Sequence, residues 1–463
     1  MSTKLNGRGV VVVIFGATEG GRVNVLRFSE QEGCVKLMSE IQIPWLVHGN
    51  GEYWPLNWLG DLLGKVCDSA QNGDIICGAT WGADVRLRLY KEITIGNETV
   101  IDLARFYGSV PKKVLGNYSP AQEEYIYLGC GGANVAFYQP YAHIISAIND
   151  GVVKTTADIC NLTPMVDVMT DMIRGLDTED LLYDQTMLQS MGLMVDSAQN
   201  VYADLFSPGF AQRIFKSGQL ARTGGGVEIV RQGKKFFLMP FTHDSVPARL
   251  ASQCSQVMWG GTWFGTAVRI RNGNLIPTVE LYRAGIAIEG IGGEAFAIGN
   301  MGEYGKDWKR LVHRYFRDQY AEMADYAKTG LLTDRELEPY PIARLGKDNS
   351  AEELVSAYQE MSGDVLKVAH VGAAIVKAIA IRCWEQILTT CQLLGQPMDN
   401  RLVITGGPVE NVALQLALEQ QGFVLSQSKV PGKETHYGTA ARAMVSAGWC
   451  QDFDEALGVL ASL

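Results

Sequence analysis

Met239–Pro240–Phe241–Thr242–His243–Asp244–Ser245 and, shortly after it, Met258–Trp259–Gly260–Gly261–Thr262–Trp263 are the stretches on which the reading of the fold turns. In the first, the bulky run Phe236–Phe237–Leu238–Met239 ends in polar residues, the pattern of a buried strand that leaves a carboxylate, Asp244, at its end. In the second, Gly–Gly–Thr joins two strand-like segments. Glycines let backbone N–H groups approach an anion closely, and a threonine hydroxyl adds a donor. Phosphoryl transfer to a hydroxyl needs both parts: a base to orient the hydroxyl and donors to hold phosphate oxygens. Each part also has an ordinary structural reading, Asp244 as a turn or helix-cap residue and Gly260–Gly261–Thr262 as a hairpin turn.

The whole chain sets the frame for that pair. At 463 residues it exceeds one ordinary core, so more than one domain is expected. Apolar residues make up 47% and charged residues 19%, a composition that folds. A net charge of −10 argues against a broad nucleic-acid surface and leaves room for a local anion pocket. The nine cysteines stand singly with no C-x-x-C pair, which predicts a reduced, cytoplasmic protein without a thiolate metal cluster. Lys4 and Arg8 precede only the short run Val10–Phe15, better read as a strand than as a signal peptide. Lys367, His370, Lys377, Arg382 and Glu385 interrupt the apolar stretch Val365–Leu394, so a buried helix is expected there and not a membrane span.

Val10–Phe15, Arg22–Phe28 and Val35–Glu40 alternate as strands of an antiparallel meander. A helix from about Leu56 to Ala70 then feeds a buried strand, Asp74–Gly78, which predicts a parallel addition to the meander and a mixed α/β sheet. Residues 100–225 read as mainly helical. In the second half, Val257–Arg271 reads as strand, turn, strand. Residues 307–328 read as one amphipathic helix with Trp308, Leu311, Val312, Tyr315 and Phe316 on its apolar face, and helices follow over about 352–361 and 364–395. Leu402–Thr405, Gly406–Gly407–Pro408 and Val409–Gln421 read as strand, turn and helix. Two halves of like design predict a duplicated fold with a cleft, its ligands at the carboxyl ends of strands. Gly406–Gly407 before a helix suits a nucleotide, and equally suits a tight strand-to-helix turn with Pro near N1. Glu434–Thr435–His436–Tyr437–Gly438–Thr439–Ala440–Ala441 opens a further helix that would close the other side of a purine slot.

Together these pieces resemble the FGGY family of carbohydrate kinases, and most nearly its rhamnulokinase and fuculokinase branch. Phe15–Gly16–Ala17–Thr18 with Arg22 resembles the first phosphate turn, and Gly78–Ala79–Thr80–Trp81–Gly82–Ala83–Asp84 the strand-end motif whose glycine, here Gly82, touches the sugar. Thr242–His243–Asp244–Ser245 is similar to the motif of the catalytic base, which maps onto Asp244 with His243 beside the sugar. Gly260–Gly261–Thr262–Trp263 resembles the second phosphate turn, and Gly299–Asn300–Met301–Gly302 a segment whose asparagine, Asn300, contacts sugar. Thr405–Gly406–Gly407 with Asn411 resembles the adenosine motif. The resemblance spans nearly the whole chain with its motifs in order. It implies a two-domain actin-like (RNase H-like) ATPase fold with an interdomain cleft, residues 1–245 forming the sugar-site domain and 246–463 the nucleotide-site domain. It implies an ATP- and Mg²⁺-dependent carbohydrate kinase acting on a hydroxyl of a ketose, deoxyketose or polyol. Its expected partners are a small-molecule sugar and at most a second copy of the chain in a homodimer, with no nucleic acid and no membrane.

One position departs from the family. Its first strand ends in an Asp serving Mg²⁺ and the phosphates, and Ile14 stands there in this chain. An apolar side chain cannot hold a metal that takes oxygen ligands. Glu19 or Asp84 substitutes, or the metal rests on ATP and Asp244, or the protein is an impaired member acting as a sugar- or nucleotide-binding regulator. Cys254 reads as a buried inert thiol, and His48, His143, His313 and His370 as structural or surface residues. Trp259 and Trp263 read as core, with sugar or nucleotide stacking the alternative.

Overall fold

The computed structural model describes residues 7–15, 22–29, 34–80, 85–105, 120–129, 140–155, 158–164, 193–195, 201–203, 227–231, 233–239, 241–261, 263–270, 277–291, 294–302, 304–333, 354–356 and 368–463. The chain divides into two compact units, Met1–Ala251 joined by Thr435–Leu463, and Ser252–Glu434. The sequence reading put the change at 245/246 and gave the whole C-terminus to the second domain. The terminal segment belongs with the first unit because its side chains pack there. Tyr437 meets Phe28 edge to face with centroids 5.1 Å apart, and the Arg8 guanidinium lies 4.1 Å over the Trp449 ring. Gly438 is pressed against Pro247: a Cβ there would sit 2.0 Å from its carbonyl oxygen.

The first unit begins with β1 (Gly9–Phe15), β2 (Arg22–Ser29), β3 (Cys34–Gln42), β4 (Leu46–His48), β5 (Gly51–Pro55), β6 (Ile75–Thr80), β7 (Val85–Ile95) and β8 (Glu98–Arg105). It continues with β9 (Ile159–Pro164), β10 (Leu193–Val195), β11 (Val201–Ala203), β12 (Val227–Arg231), β13 (Lys234–Leu238) and β14 (Thr242–His243). Its main sheet runs β12-β13-β6-β1-β2-β3, with β13 and then β14 pairing along β6. The meander β1-β2-β3 is antiparallel, and β6 adds parallel to β1, as its preceding helix (Leu59–Ser69) requires. Val10–Ile14 is a run of β-branched residues buried on both faces, which is what a central strand of a covered sheet demands. Val11, Val13 and Phe15 pack with Trp54, Leu62 and Val66 on one side of it.

The foot of this sheet is locked by charge. Asp74, wholly buried, accepts hydrogen bonds from Gly9 N (2.6 Å), Gln71 N (2.8 Å) and the buried Arg27 (Nε 3.0 Å, Nη2 3.3 Å). It ties the starts of β1 and β6 to the far end of β2, and so fixes the register of strands whose opposite ends carry the candidate site. A second buried set, Arg105, Tyr53 and Asp150, ties β5 and β8 to the end of the helix Pro140–Asn149. Arg105 donates to Asp150 at 2.8 Å and Tyr53 OH to the same carboxylate at 2.7 Å.

Most of residues 100–225, expected to be mainly helical, lie outside the described residues. Their described parts contain the helices Pro120–Gly129 and Pro140–Asn149, but also most of β8 and all of β9, β10 and β11. A five-stranded sheet, β4-β5-β8-β7-β9, escaped the sequence reading. Its hairpin turns at Gly96, whose φ of +61° glycine adopts without strain, and in β7 the alternation of buried Val85, Leu87 and Leu89 is interrupted by exposed Tyr90, Lys91 and Glu92.

The second unit holds β15 (Gln256–Gly260), β16 (Phe264–Arg269), β17 (Ile286–Ile291), β18 (Glu294–Gly302), β19 (Arg401–Gly406) and β20 (Val424–Ser426), ordered β17-β18-β16-β15-β19-β20. The 26-residue helix Val368–Leu393 crosses this core, and Gly372 lets it approach Met323 and Ala327. Among the described residues no helix is long and apolar enough to cross a membrane. The single helix expected over 307–328 is two, Tyr304–Phe316 and Tyr320–Thr333. Arg317 and Asp318 break it at φ +50° and +65°. The break leaves Tyr315 40% exposed, while Phe316 turns in to meet Tyr326 edge to face.

Candidate active site

In the first unit, three neighbouring strands, β1, β6 and β14, run parallel and end at one edge. β14 is a two-residue strand held beside β6, with Thr242 opposite Ala79 and His243 opposite Thr80. The next residue is Asp244, half-buried, whose backbone N–H donates to the Thr80 carbonyl at 3.1 Å. That bond pins the carboxylate-bearing residue to the end of β6, ahead of the helix Ser245–Ala251. The turns that follow β1 and β6 leave the sheet at the same edge. Gly16, Ala17, Thr18 and Gly82 in those turns lie outside the described residues, as do Glu19 and Asp84, and His243 is described by its backbone alone. Arg22 opens β2 at this edge, with its exposed guanidinium 3.2 Å from Glu40.

The register shows what surrounds Ile14. Thr242, Ala79, Ile14 and Asn24 form one row across β14, β6, β1 and β2, all on the same face. Ile14 is 4% exposed in the middle of that row. The row also holds two oxygens that sequence reasoning did not assign: Thr242 Oγ1 and Asn24 Oδ1 are buried and have no hydrogen-bond partner among the described residues. Thr80 Oγ1, on the opposite face, is in the same condition. The signal was present, since Thr80 and Thr242 sit inside the two quoted motifs, but a threonine in a strand is ordinarily read as a β-former.

These residues do not fit a protein-held divalent ion. Thr242 and Asn24 stand three strand spacings apart, roughly 14 Å, too far to share a cation. The residue between Ala79 and Asn24 is a hydrocarbon. Among the described residues no group of His, Cys, Asp and Glu could hold a metal.

In the second unit, β15, β18 and β19 end at one edge of their sheet, bringing Gly260–Gly261, Asn300–Gly302 and Gly406–Gly407 to that edge. Gly260 pairs with Gly406 directly, so the two glycine turns are neighbours. Gly406 adopts φ +77°, and a Cβ on it would meet Gly260 O at 2.5 Å. Gly407 is different: nothing lies within 4 Å of where its Cβ would be. Gly261 is equally open, although its N–H donates to Trp263 O at 3.1 Å within the hairpin turn. Thr262 lies outside the described residues. Asn300 is exposed, and its Oδ1 accepts from Gly302 N at 3.0 Å. Asn411 caps the helix Val412–Gln420, its Oδ1 accepting from Ala413 N (3.1 Å) and Leu414 N (3.0 Å). The turn before it is a short 3₁₀ helix, Gly407–Glu410, in place of the longer helix expected. Trp259 is half-buried with its ring packed across Gly265, and Trp263 is 37% exposed. Cys254 is half-buried and not fully buried as expected, with Sγ 3.7 Å from the Arg401 carbonyl.

No protein-family model and no curated protein sequence matches the chain. Solved structures do. Glycerol kinase of Plasmodium falciparum with ADP superposes with a TM-score of 0.62 at 10% identity, over 98% of this chain and 92% of that one. Ligand-bound xylulose kinase and gluconate kinase, both from Lactobacillus acidophilus, each superpose with a TM-score of 0.64 at 10% identity over the same shares. The chain has the fold of the carbohydrate kinases. The two-domain α/β architecture expected from the motifs is therefore present along nearly the full chain.

Proposed function

We propose that this chain is an ATP-dependent carbohydrate kinase that phosphorylates a hydroxyl of a ketose, deoxyketose or polyol in the cytoplasm. The observation that carries the reading is the placement of Asp244. It is a carboxylate pinned by its own backbone to the end of β6, at the edge where three parallel strands terminate, in a carbohydrate-kinase fold. In this reading the Asp244 carboxylate orients the acceptor hydroxyl and takes its proton as the oxygen attacks the γ-phosphorus of ATP. His243, Gly82 and Asn300 place the sugar. Gly16, Ala17, Thr18, Arg22, Gly261 and Thr262 serve the phosphates, and Gly406, Gly407 and Asn411 serve the adenosine. The backbone cap made by Asn411 Oδ1 leaves its amide N–H₂ for that task. The rhamnulokinase and fuculokinase branch, with its deoxyketose substrates, is the finer assignment that Asn300 supports.

Ile14 supports a second reading. A buried isoleucine in the row where the family keeps a carboxylate favours an impaired member that binds sugar or nucleotide as a regulator. The deciding experiment is a coupled ADP-release screen over pentuloses, hexuloses, deoxyketoses and polyols with Mg²⁺ or Mn²⁺, run beside sugar-binding calorimetry. Turnover that Asp244→Asn abolishes is the expected outcome. Saturable sugar binding without turnover selects the regulator, and neither binding nor turnover sinks both.

A further inference from the structure

At the other end of β15 and β19 from the glycine turns, the second unit carries a cavity of about 330 Å³. Cys254 and Ser255 just before β15, Arg401 at the start of β19, and Gln427 and Lys429 beyond β20 wall it. Its lining is rich in hydrogen-bond donors and holds two cations against one carboxylate, Asp399. Arg401 is fixed in place: its Nη2 and Nε donate to Asp399 Oδ2 at 2.9 and 3.1 Å, and its backbone N–H to Oδ1 at 3.0 Å. That fork leaves Nη1 free to donate elsewhere. Lys429 is exposed and has no ion-pair partner among the described residues. Gln253, also in the lining, sits at φ +53°, a left-handed conformation that costs a non-glycine residue stability and that collects at ligand sites.

We propose that this cavity binds a small phosphate-bearing metabolite, its phosphoryl group held between Arg401 and Lys429. A pre-oriented guanidinium with spare N–H groups, beside an unpaired ammonium, matches phosphate oxygens. The volume lies at the small end of ligand sites, and no aromatic side chain lines it to stack a base, so a nucleotide is not the occupant. The site does not depend on the kinase reading. Its position has a consequence, because β15 and β19 run from it directly to Gly260 and Gly406, a span of roughly 17–20 Å. Occupancy at one end therefore bears on two strands whose other ends form the glycine turns.

The test uses the full chain with inorganic phosphate and glycerol 3-phosphate as probes and citrate as a carboxylate control. Calorimetry measures affinity, and peptide-level mass spectrometry follows alkylation of Cys254 by iodoacetamide. Saturable binding of either phosphate probe is expected, weakened about tenfold or more by Arg401→Gln and by Lys429→Gln, the usual weight of a charged hydrogen bond. Bound phosphate should slow Cys254 alkylation in the wild type and fail to do so in Lys429→Gln. Lys429→Gln leaves the Arg401–Asp399 pair intact, so it reports on binding even where Arg401→Gln perturbs folding. A preference for the ester over free phosphate identifies a metabolite, and equal affinity identifies phosphate itself as the ligand. No saturable binding at millimolar concentrations overturns the proposal. So does binding indifferent to both substitutions, binding displaced by a non-hydrolysable ATP analogue, or tighter binding of citrate.

Discussion

Gly406 and Gly407 were read from sequence as one nucleotide-facing pair, and the structure separates them into two experiments. In Gly406→Ala the new Cβ must tolerate φ +77° and would sit 2.5 Å from Gly260 O, inside the parallel pairing of β15 with β19. With ψ at −161° this is a backbone region that only glycine enters readily; it costs an L-residue roughly 1–3 kcal/mol, and displacing one ladder hydrogen bond adds about 1. A loss of about 2–4 kcal/mol is expected, which for a unit of this size lowers Tm by roughly 4–16 °C. The Cβ of Gly407→Ala meets nothing within 4 Å, so its stability should stay within about 0.5 kcal/mol of wild type, and Gly407→Val starts from the same open Cβ position. If adenosine lies against that backbone, a branched side chain there should raise the KM for ATP while leaving the KM for sugar nearly unchanged. Melting curves and initial rates over both substrates measure all of this. An unaltered KM for ATP in a folded Gly407→Val protein would remove the turn from the nucleotide site. A Gly406→Ala protein that melts like wild type would refute the steric argument.

Asp244→Asn should lower kcat by roughly 10²–10⁴-fold, the usual size of general-base catalysis, with sugar affinity nearly retained; a near-normal kcat removes Asp244 from the chemistry. Asp74→Ala takes from the charged, buried Arg27 the carboxylate it donates to, so a loss of roughly 3–5 kcal/mol is expected in denaturant titration, and a loss under 1 would mean the lock is slack. Burial pushes the Cys77 thiol up to about 12, so in the native protein it should resist iodoacetamide at pH 8.5 and react once unfolded, as peptide mass spectrometry would record. Ile14→Asp buries a carboxylate among hydrocarbons, which raises its folded pKa. The variant should therefore come nearest to wild-type stability near pH 4 and fall further behind as pH climbs above the unfolded value of about 3.9; a pH-independent deficit in Tm would contradict that environment.

How far the sequence reached depended on how local each signal was. The meander, the parallel addition of β6 and the strand ends at Asp244, Gly260 and Gly406 were legible because buried β-branched runs stop at glycines or polar residues within a few positions. The sheet β4-β5-β8-β7-β9 was not, since it is held by long-range contacts such as Arg105 with Asp150, which no short window contains. The break at Arg317–Asp318 carries no glycine or proline to announce it. The C-terminal helix was assigned to the wrong neighbour for a related reason. Its small residues Gly438 and Ala440 predict close packing but not the partner, which is the Pro247 backbone in the first unit. Motif order pointed to Asp244 and Asn300 as candidate site residues, whereas the structural settings of Gly406 and Asn411 are visible only in the geometry. One glycine exists for the close approach of Gly260, and the asparagine oxygen is spent on capping a helix.

The row Thr242, Ala79, Ile14 and Asn24 sharpens the choice between an enzyme and a regulator. An aspartate at position 14 would be tolerable only with a cation or several donors beside it, because an unpaired buried carboxylate is among the costliest groups a core can hold. Its described neighbours in the row supply neither: Ala79 has no polar side-chain atom, and the unpartnered Asn24 atom is an oxygen, an acceptor that would repel a carboxylate. The surroundings of position 14 are thus matched to a neutral side chain, and restoring the single aspartate would not by itself rebuild a metal site. Kinase activity in this chain therefore implies that charge developing on the phosphates is met by groups outside this row. Arg22 stands at the same edge with its guanidinium exposed and, among the described residues, held by a surface pair to Glu40, the weak kind that a phosphate can displace. Arg22→Gln is accordingly more damaging to turnover, in this reading, than any neutral substitution at Ile14.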